Sequence, residues 1–322
     1  MNTKELFKKL QPLIALLVMV IALSLLSDKF LTLVNQRNIL LQISVNLCLS
    51  IGMTLVIISG GIDLSVGAIL ALAGAIGAGL LKNGLALKTF GVVLQFTPFG
   101  AVLAGIATGL VLGLFNGFVI TQFKLPPFVA TLGMLSIGRG LTMLWTGGFP
   151  VTDLGPQFGF LGAGMFLGIP MPVWISAVLV ALFYVISRRT VLGRYIYAVG
   201  GSEKTTAFSG IKVNRVKLWV YALGGALAAV AGLVVTARLD AADPKAGLGY
   251  ELDSIAAVVI GGTSLSGGRG SVLGTVLGCL IIGVLNNGLF LLDVSPFWQQ
   301  VVKGFVILAA VALDKVGSKS SP

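Results

Sequence analysis

Arg188 to Lys217 reads RRTVLGRYIYAVGGSEKTTAFSGIKVNRVK, and it carries seven of the chain's twenty-two Lys and Arg residues between two long apolar runs. Outward from it the sequence is 56% hydrophobic and 10% charged, with a mean hydropathy of +1.02. Soluble domains hold about 25% charged residues. Water is therefore not the main solvent of this chain. The repeated apolar runs suit helices crossing about 30 Å of hydrocarbon, because a helix satisfies its own backbone hydrogen bonds there. The expected fold is an all-α polytopic membrane protein, a single transmembrane domain over residues 1–322 with the loop 188–217 on its surface.

Apolar runs and their breaks place spans near 13–27, 39–59, 66–81, 99–121, 125–145, 172–187, 218–237, 252–262, 271–292 and 297–313, about ten crossings. With the N-terminus in the cytoplasm, fourteen cations fall on that side: Lys4, Lys8, Lys9, Lys124, the seven of the opening stretch, Arg269, Lys315 and Lys319. Six fall opposite: Lys29, Arg37, Lys82, Lys88, Arg238 and Lys245. The excess of positive charge on cytoplasmic loops orients both termini inward. The first span follows Lys4, Lys8 and Lys9 as in a secretory signal, but Ser24 to Asp28 offers no small-residue cleavage site, so an uncleaved span is expected. The net charge of +11 is thereby read as membrane orientation, with lipid and not nucleic acid as the partner. The Gly- and Pro-rich loop from Thr146 to Pro172 has no Lys or Arg and lands outside, as a contact surface or an inert cap.

Inventory excludes much chemistry. No histidine is present, which removes Ser-His-Asp and Cys-His nucleophiles and His-ligated metals. Cys48 and Cys279 each sit in an apolar run and read as buried small hydrophobes. The Gly-rich run Gly261 to Gly270 lacks the Lys and hydroxyl of a phosphate loop, so no metal or nucleotide cofactor is expected on this chain. The span 252–262 is too short to cross alone and reads as half of a broken helix.

An echo links two breaks: Gly60 to Gly67 reads GGIDLSVG, Gly261 to Gly268 reads GGTSLSGG, and five of eight positions agree. Broken helices near the midplane are a recurrent transporter device; equally, such pairs arise by chance in a chain with forty-four glycines. Asp63, beside Ser65 in the first break, reads either as a cap on the next helix or as a polar group on a transport path. Arg139 and Lys303 read as snorkelling cations or as partners of each other. Asn46, Asn116, Asn286 and Asn287, with Phe290 and Trp298, are types that bind sugar hydroxyls and C–H faces. Gly105, Gly109 and Gly113 recur every four residues, as in close helix packing, or as a dimer face or path lining. Within the opening stretch, SEKTTAFS has a Ser202 N-cap and glycine boundaries at Gly200, Gly201 and Gly210. It reads as a short surface helix presenting Glu203, Lys204 and Thr205, or as a solvated linker.

LGRYIYAVGGSEKTTAFSGI (Leu192 to Ile211) resembles the cytoplasmic signature of permease subunits of bacterial ABC sugar importers of the ribose, xylose and galactose branch. GMTLVIISGGIDLSVGAILAL (Gly52 to Leu72), GYELDSIAAVVIGGTSLSGGRGSVLGT (Gly249 to Thr275) and LNNGLFLL (Leu285 to Leu292) extend that resemblance over nearly the whole chain. It implies a type II importer permease fold in the bacterial inner membrane and a homodimer with a second copy of this chain. A separate cytoplasmic ATPase would carry ATP and magnesium, a periplasmic sugar-binding protein would dock outside, and a monosaccharide, D-ribose first, would be imported without catalysis by this chain. Glu203 to Gly210 matches the coupling loop that fits a cleft on the ATPase, although Lys204 and Thr205 stand where the general importer pattern has two alanines. The rival expectation is a secondary sugar transporter driven by an ion gradient, with Asp63 as the coupling carboxylate.

Overall fold

The computed structural model describes residues 3–87, 89 and 91–319, the side chains of 3–10, 310 and 313–319 excepted. Lys88 lies outside the described residues, as do the side chains of Lys4, Lys8, Lys9, Lys315 and Lys319 used in the charge count. Thirteen helices occupy the described residues: α1 Thr3–Leu26, α2 Leu33–Ile58, α3 Val66–Asn83, α4 Pro98–Gln122, α5 Pro127–Thr146, α6 Pro156–Ala163, α7 Met171–Arg189, α8 Val191–Gly201, α9 Glu203–Phe208, α10 Val213–Leu239, α11 Tyr250–Ile260, α12 Val272–Leu291 and α13 Pro296–Lys319. Six short strands, β1 Leu85–Leu87, β2 Val92–Leu94, β3 Val151–Thr152, β4 Met165–Phe166, β5 Ile169–Pro170 and β6 Ala241–Ala242, pair antiparallel as β1–β2, β3–β6 and β4–β5.

Each of the ten expected spans coincides with one helix, and among the described residues seven of those helices are long and apolar enough to cross a membrane: α2, α3, α4, α5, α7, α10 and α12. The apolar part of α1 is Gln11–Leu26. Helix α11 has 11 residues, about 16 Å at 1.5 Å per residue, half of what a span needs. It stops at Gly261 and the path resumes only at Val272, as the broken-helix reading expects.

Helix α10 is the axis of the bundle, packed against α2, α3, α4 and α6. Its small residues permit this. A methyl on Gly109 of α4 would meet the Gly225 carbonyl oxygen and come within 2.6 Å of Ala229 Cβ, and one on Gly113 would meet the Tyr221 carbonyl oxygen. The four-residue glycine stripe of α4 is thus spent on close packing inside one chain. Side-chain polarity adds clasps between spans: Thr54 and Thr275 hydroxyls lie 2.6 Å apart between α2 and α12. Cys48 and Cys279 are buried and free.

Loop contacts sort into two ends. At one, β3 pairs with β6, Lys82 meets Asp153 at 3.1 Å, and Leu154 N donates to Asp240 Oδ1 at 3.0 Å. The loop from Thr146 to Pro172 belongs here and is folded: α6 packs against α10 with Phe158 fully buried. At the other end, Gly268 N donates to Ile58 O at 2.8 Å and Tyr197 Oη donates to Gly270 O at 2.9 Å.

Candidate functional site

At the Ile58 end, the opening stretch folds into two helices, not the one that its sequence suggests. Thr190 caps α8, its Oγ1 accepting from Gly193 N at 3.2 Å, and Ile196 and Val199 bury the apolar face of α8 beside Ile58 and Val220. Ser202 then caps α9, accepting from Thr205 N at 3.3 Å. Helix α9 ends in a Schellman motif: Gly210, at φ +80°, donates to Ala207 O, and Ile211 N donates to Thr206 O. Thr206 Oγ1 donates to Ala198 O at 2.8 Å, fixing α9 to α8, and Lys217 of α10 pairs with Glu203. The helix is therefore clamped from below, while Lys204, Thr205 and Phe208 face outward, Phe208 with 91% of its surface exposed. Phe208 was absent from the residues singled out in the sequence; its signal is a lone aromatic inside a polar octet.

The two glycine breaks reach the same end. Gly60 at φ +83° and Gly262 at φ +85° each terminate a helix by the same pair of hydrogen bonds, Gly60 N to Ile57 O with Gly61 N to Val56 O, and Gly262 N to Val259 O with Thr263 N to Val258 O. The structural echo is therefore one residue out of register with the GG–GG alignment and in register with the β-branched runs before it. Beyond the cap the copies diverge, the first entering α3 at Val66 and the second turning through residues 264–270.

Asp63 and Ser65 meet in the first break, fully buried, with Asn116 of α4. Asp63 Oδ1 accepts from Ser65 N at 2.8 Å and Ser65 Oγ at 2.5 Å, and Asn116 Nδ2 donates to Ser65 Oγ at 2.9 Å. Asp63 Oδ2 has no partner. Residue Ser65, not Asp63, occupies the N-cap position of α3, and it makes no side-chain cap. Asp63 instead closes a turn two residues before the helix.

At the opposite end, Asn46, Asn286 and Phe290 line one cavity of about 270 Å³ between α2, α10, α11, α12 and α13. Gln42, Arg238, Tyr250, Asp253, Gln299 and Lys303 complete its polar wall. Lys303 Nζ meets Asp253 Oδ2 at 2.9 Å, both half-sheltered, so this pair neutralises itself. Arg139, read as a snorkelling cation or as a partner of Lys303, is not paired with Lys303: it donates to Ala246 O at 2.6 Å and Pro244 O at 3.3 Å. Asn286 Oδ1 is buried without a partner. Such a wall offers amide donors and acceptors, the rings of Tyr250 and Phe290, the Lys303–Asp253 pair and the Arg238 guanidinium, groups that can hydrogen-bond and stack on a hydroxyl-rich ligand. Asn287 is not part of it. Its amide and that of Asn35 exchange two hydrogen bonds, 3.0 and 2.8 Å, locking α12 to α2. Asn116 lies apart from the cavity as well, in the Asp63 cluster.

Comparison with known proteins decides what kind of molecule carries these features. The sequence profile described as branched-chain amino acid transport system / permease component matches residues 35–311. The chain belongs to that family. It is a multi-pass membrane protein and a transport component, as the resemblance in its motifs implies. It is 49% identical to the ribose import permease protein of Bacillus subtilis (strain 168) over 96% of this chain and 93% of that one. It is 47% identical to the ribose import permease protein of Escherichia coli (strain K12), covering 97% and 95%. It is also 41% identical to the D-allose transport system permease protein of Escherichia coli (strain K12), covering 92% and 88%.

Proposed function

We propose that this chain is the membrane permease subunit of an ATP-driven importer of a monosaccharide, D-ribose, in the bacterial inner membrane. The near-full-length likeness to ribose import permeases carries the reading. A single transmembrane domain pairs with a second copy of itself, a cytoplasmic ATPase binds α9, and a periplasmic sugar-binding protein delivers the substrate at the end that holds α6 and β3–β6. Both termini then lie in the cytoplasm, as the cation count favours. ATP and magnesium reside on the ATPase, since the chain itself has no phosphate loop.

The mechanism follows from the arrangement of the chain. The partner ATPase closes and displaces α9, which is clamped to α8 and α10 but projects Phe208 and Thr205 outward. The bundle tilts, and the cavity bounded by Asn46, Asn286 and Phe290 accepts the sugar from the outer side. Neutral amides hold hydroxyls by exchangeable hydrogen bonds and so release them as readily. A gradient-driven mechanism would need Asp63 to meet the bulk phase, and Asp63 is fully buried under the Ser65 turn.

Reconstitution of this chain in proteoliposomes with its ATPase and binding protein tests the proposal. Ribose is expected to stimulate ATP hydrolysis and to be taken up, with allose, xylose and galactose weaker. Absence of stimulation by ribose overturns the substrate. Uptake that continues when ATP is withdrawn, and stops when ion gradients are collapsed, overturns the mechanism.

A further inference from the structure

Three chain segments meet by backbone alone beside α9. A methyl at Gly200, one turn before the helix, would fall on the Ile58 carbonyl oxygen and within 2.5 Å of Gly268 N. One at Gly268 would lie 2.9 Å from Gly201 Cα, and one at Gly267 would lie 2.8 Å from Gly200 O and 3.1 Å from Gly60 Cα. Gly268 N donates to Ile58 O at 2.8 Å, and Tyr197 Oη donates to Gly270 O at 2.9 Å. The end of α8, the end of α2 and the α11–α12 turn therefore touch with no side chain between them. Beneath, Ile58, Ile196 and Val199 share one buried apolar cluster.

Close-packed contacts of this kind transmit displacement, because protein interiors compress little. Long side chains between two elements would absorb part of a shift by changing rotamer; abutting backbones have none to change. Each segment in contact also leads directly into a discontinuity. Five residues after Ile58 stands Asp63 in the α2–α3 break, and four residues after Gly268 begins α12, which carries Asn286 to the far cavity.

We propose that this glycine joint is the positioning element that delivers motion of α9 to the transport path. A push on α9 passes through the Thr206–Ala198 bond to α8. From Gly200–Gly201 it enters α2 at Ile58–Gly60 and α12 through Gly267–Gly268, moving the two helices together. The joint rests on the reading of α9 as the ATPase-docking helix, and its residues touch neither ATPase nor sugar. Their role is the ratio of sugar moved to ATP hydrolysed.

The test uses the full reconstituted complex and three readouts: ATPase association, ATP hydrolysis, and ribose uptake per ATP. Gly200→Ala is expected to keep association and basal hydrolysis while lowering uptake per ATP by about tenfold, and Tyr197→Phe, which removes one hydroxyl, by about threefold. The double variant is expected to be less than the product of the two, since both loosen one contact. A defect of folding alone would lower association, hydrolysis and uptake together and leave their ratio unchanged. Wild-type uptake per ATP in Tyr197→Phe overturns the joint, including the case in which Gly200→Ala yields no stable complex. Phe208→Ala separates the underlying reading: loss of association in that variant keeps α9 as the docking helix whatever the joint does, and unchanged association refutes the docking helix itself.

Discussion

Phe208→Ala offers a sharp separation of binding from stability. The ring is 91% exposed in the free chain, so its removal changes folding by no more than about 0.5 kcal/mol, as for other surface substitutions. If the ATPase cleft covers it, truncation forfeits roughly 100–150 Å² of buried apolar surface, part of the about 150–250 Å² that an aromatic side chain can bury. At about 25 cal/mol per Å² that is about 2.5–4 kcal/mol, or about two to three orders of magnitude in Kd. The measurement is ATPase capture by purified permease in nanodiscs, read as Kd by biolayer interferometry, beside thermal unfolding of the permease alone. Weaker capture at unchanged Tm is expected. A Kd within about threefold of wild type would refute the anchor role, and a lowered Tm would show that Phe208 packs within the permease after all.

Further perturbations address the bundle. Asn287→Ala removes both bonds of the clasp, leaving the buried Asn35 amide its bond to Phe30 O alone, and is expected to cost about 1–2 kcal/mol, seen as a lower denaturation midpoint, with the Asn35→Ala double variant less than additive. Gly109→Ala drives a methyl into the Gly225 carbonyl and is expected to cost about 1–3 kcal/mol, whereas Gly133→Ala, with open space around it, should leave Tm unchanged. Asn286→Leu should lower ribose uptake about tenfold without changing ATPase capture, because Asn286 lines the cavity and not the α9 end. The bond from Lys82, chiefly, holds the exposed Asp153 carboxyl below its usual range. That contribution is complete above the unfolded carboxylate pKa and fades as pH falls through the folded one. The Tm gap between wild type and Asp153→Asn should therefore be constant near neutrality and close below about pH 4.

What could be read in the sequence was what local physics determines. Apolar runs located ten of the helices, seven of which are long and apolar enough among the described residues to span, because a helix in hydrocarbon needs only its own residues. Ser202 and Gly210 announced α9, since an N-cap hydroxyl and a C′ glycine act over four or five residues. Other features depended on distant partners. The Asn35–Asn287 clasp joins residues 252 apart in sequence, so Asn287 looked like any amide available to a sugar. Lys303 is paired with Asp253 and Arg139 with loop carbonyls, pairings that span counting cannot provide. Helix α8 was hidden because it is short, holds three glycines and lies in a stretch whose cations made it look like a loop.

The glycines show most clearly how local and distant causes combine. Gly60, Gly210 and Gly262 each end a helix with positive φ, a local role that any of the chain's many glycines could fill. Gly200, by contrast, lies within the last turn of α8, where Ala would be the better helix former by roughly 1 kcal/mol. Nothing in its own turn calls for glycine. The reason lies in two other segments, 142 residues before it and 68 after it, whose backbones occupy the space of a side chain. Gly60 of the first echo and Gly267–Gly268 of the second are thus brought face to face with Gly200–Gly201 of α8, which lies outside the echo. Helix α9 is held to α8 and α10 by Thr206 and Glu203, and the end of α8 in turn rests on this contact. By the proposed joint, a displacement at α9 reaches α2 and α12 through the end of α8, alongside the direct Glu203–Lys217 link to α10.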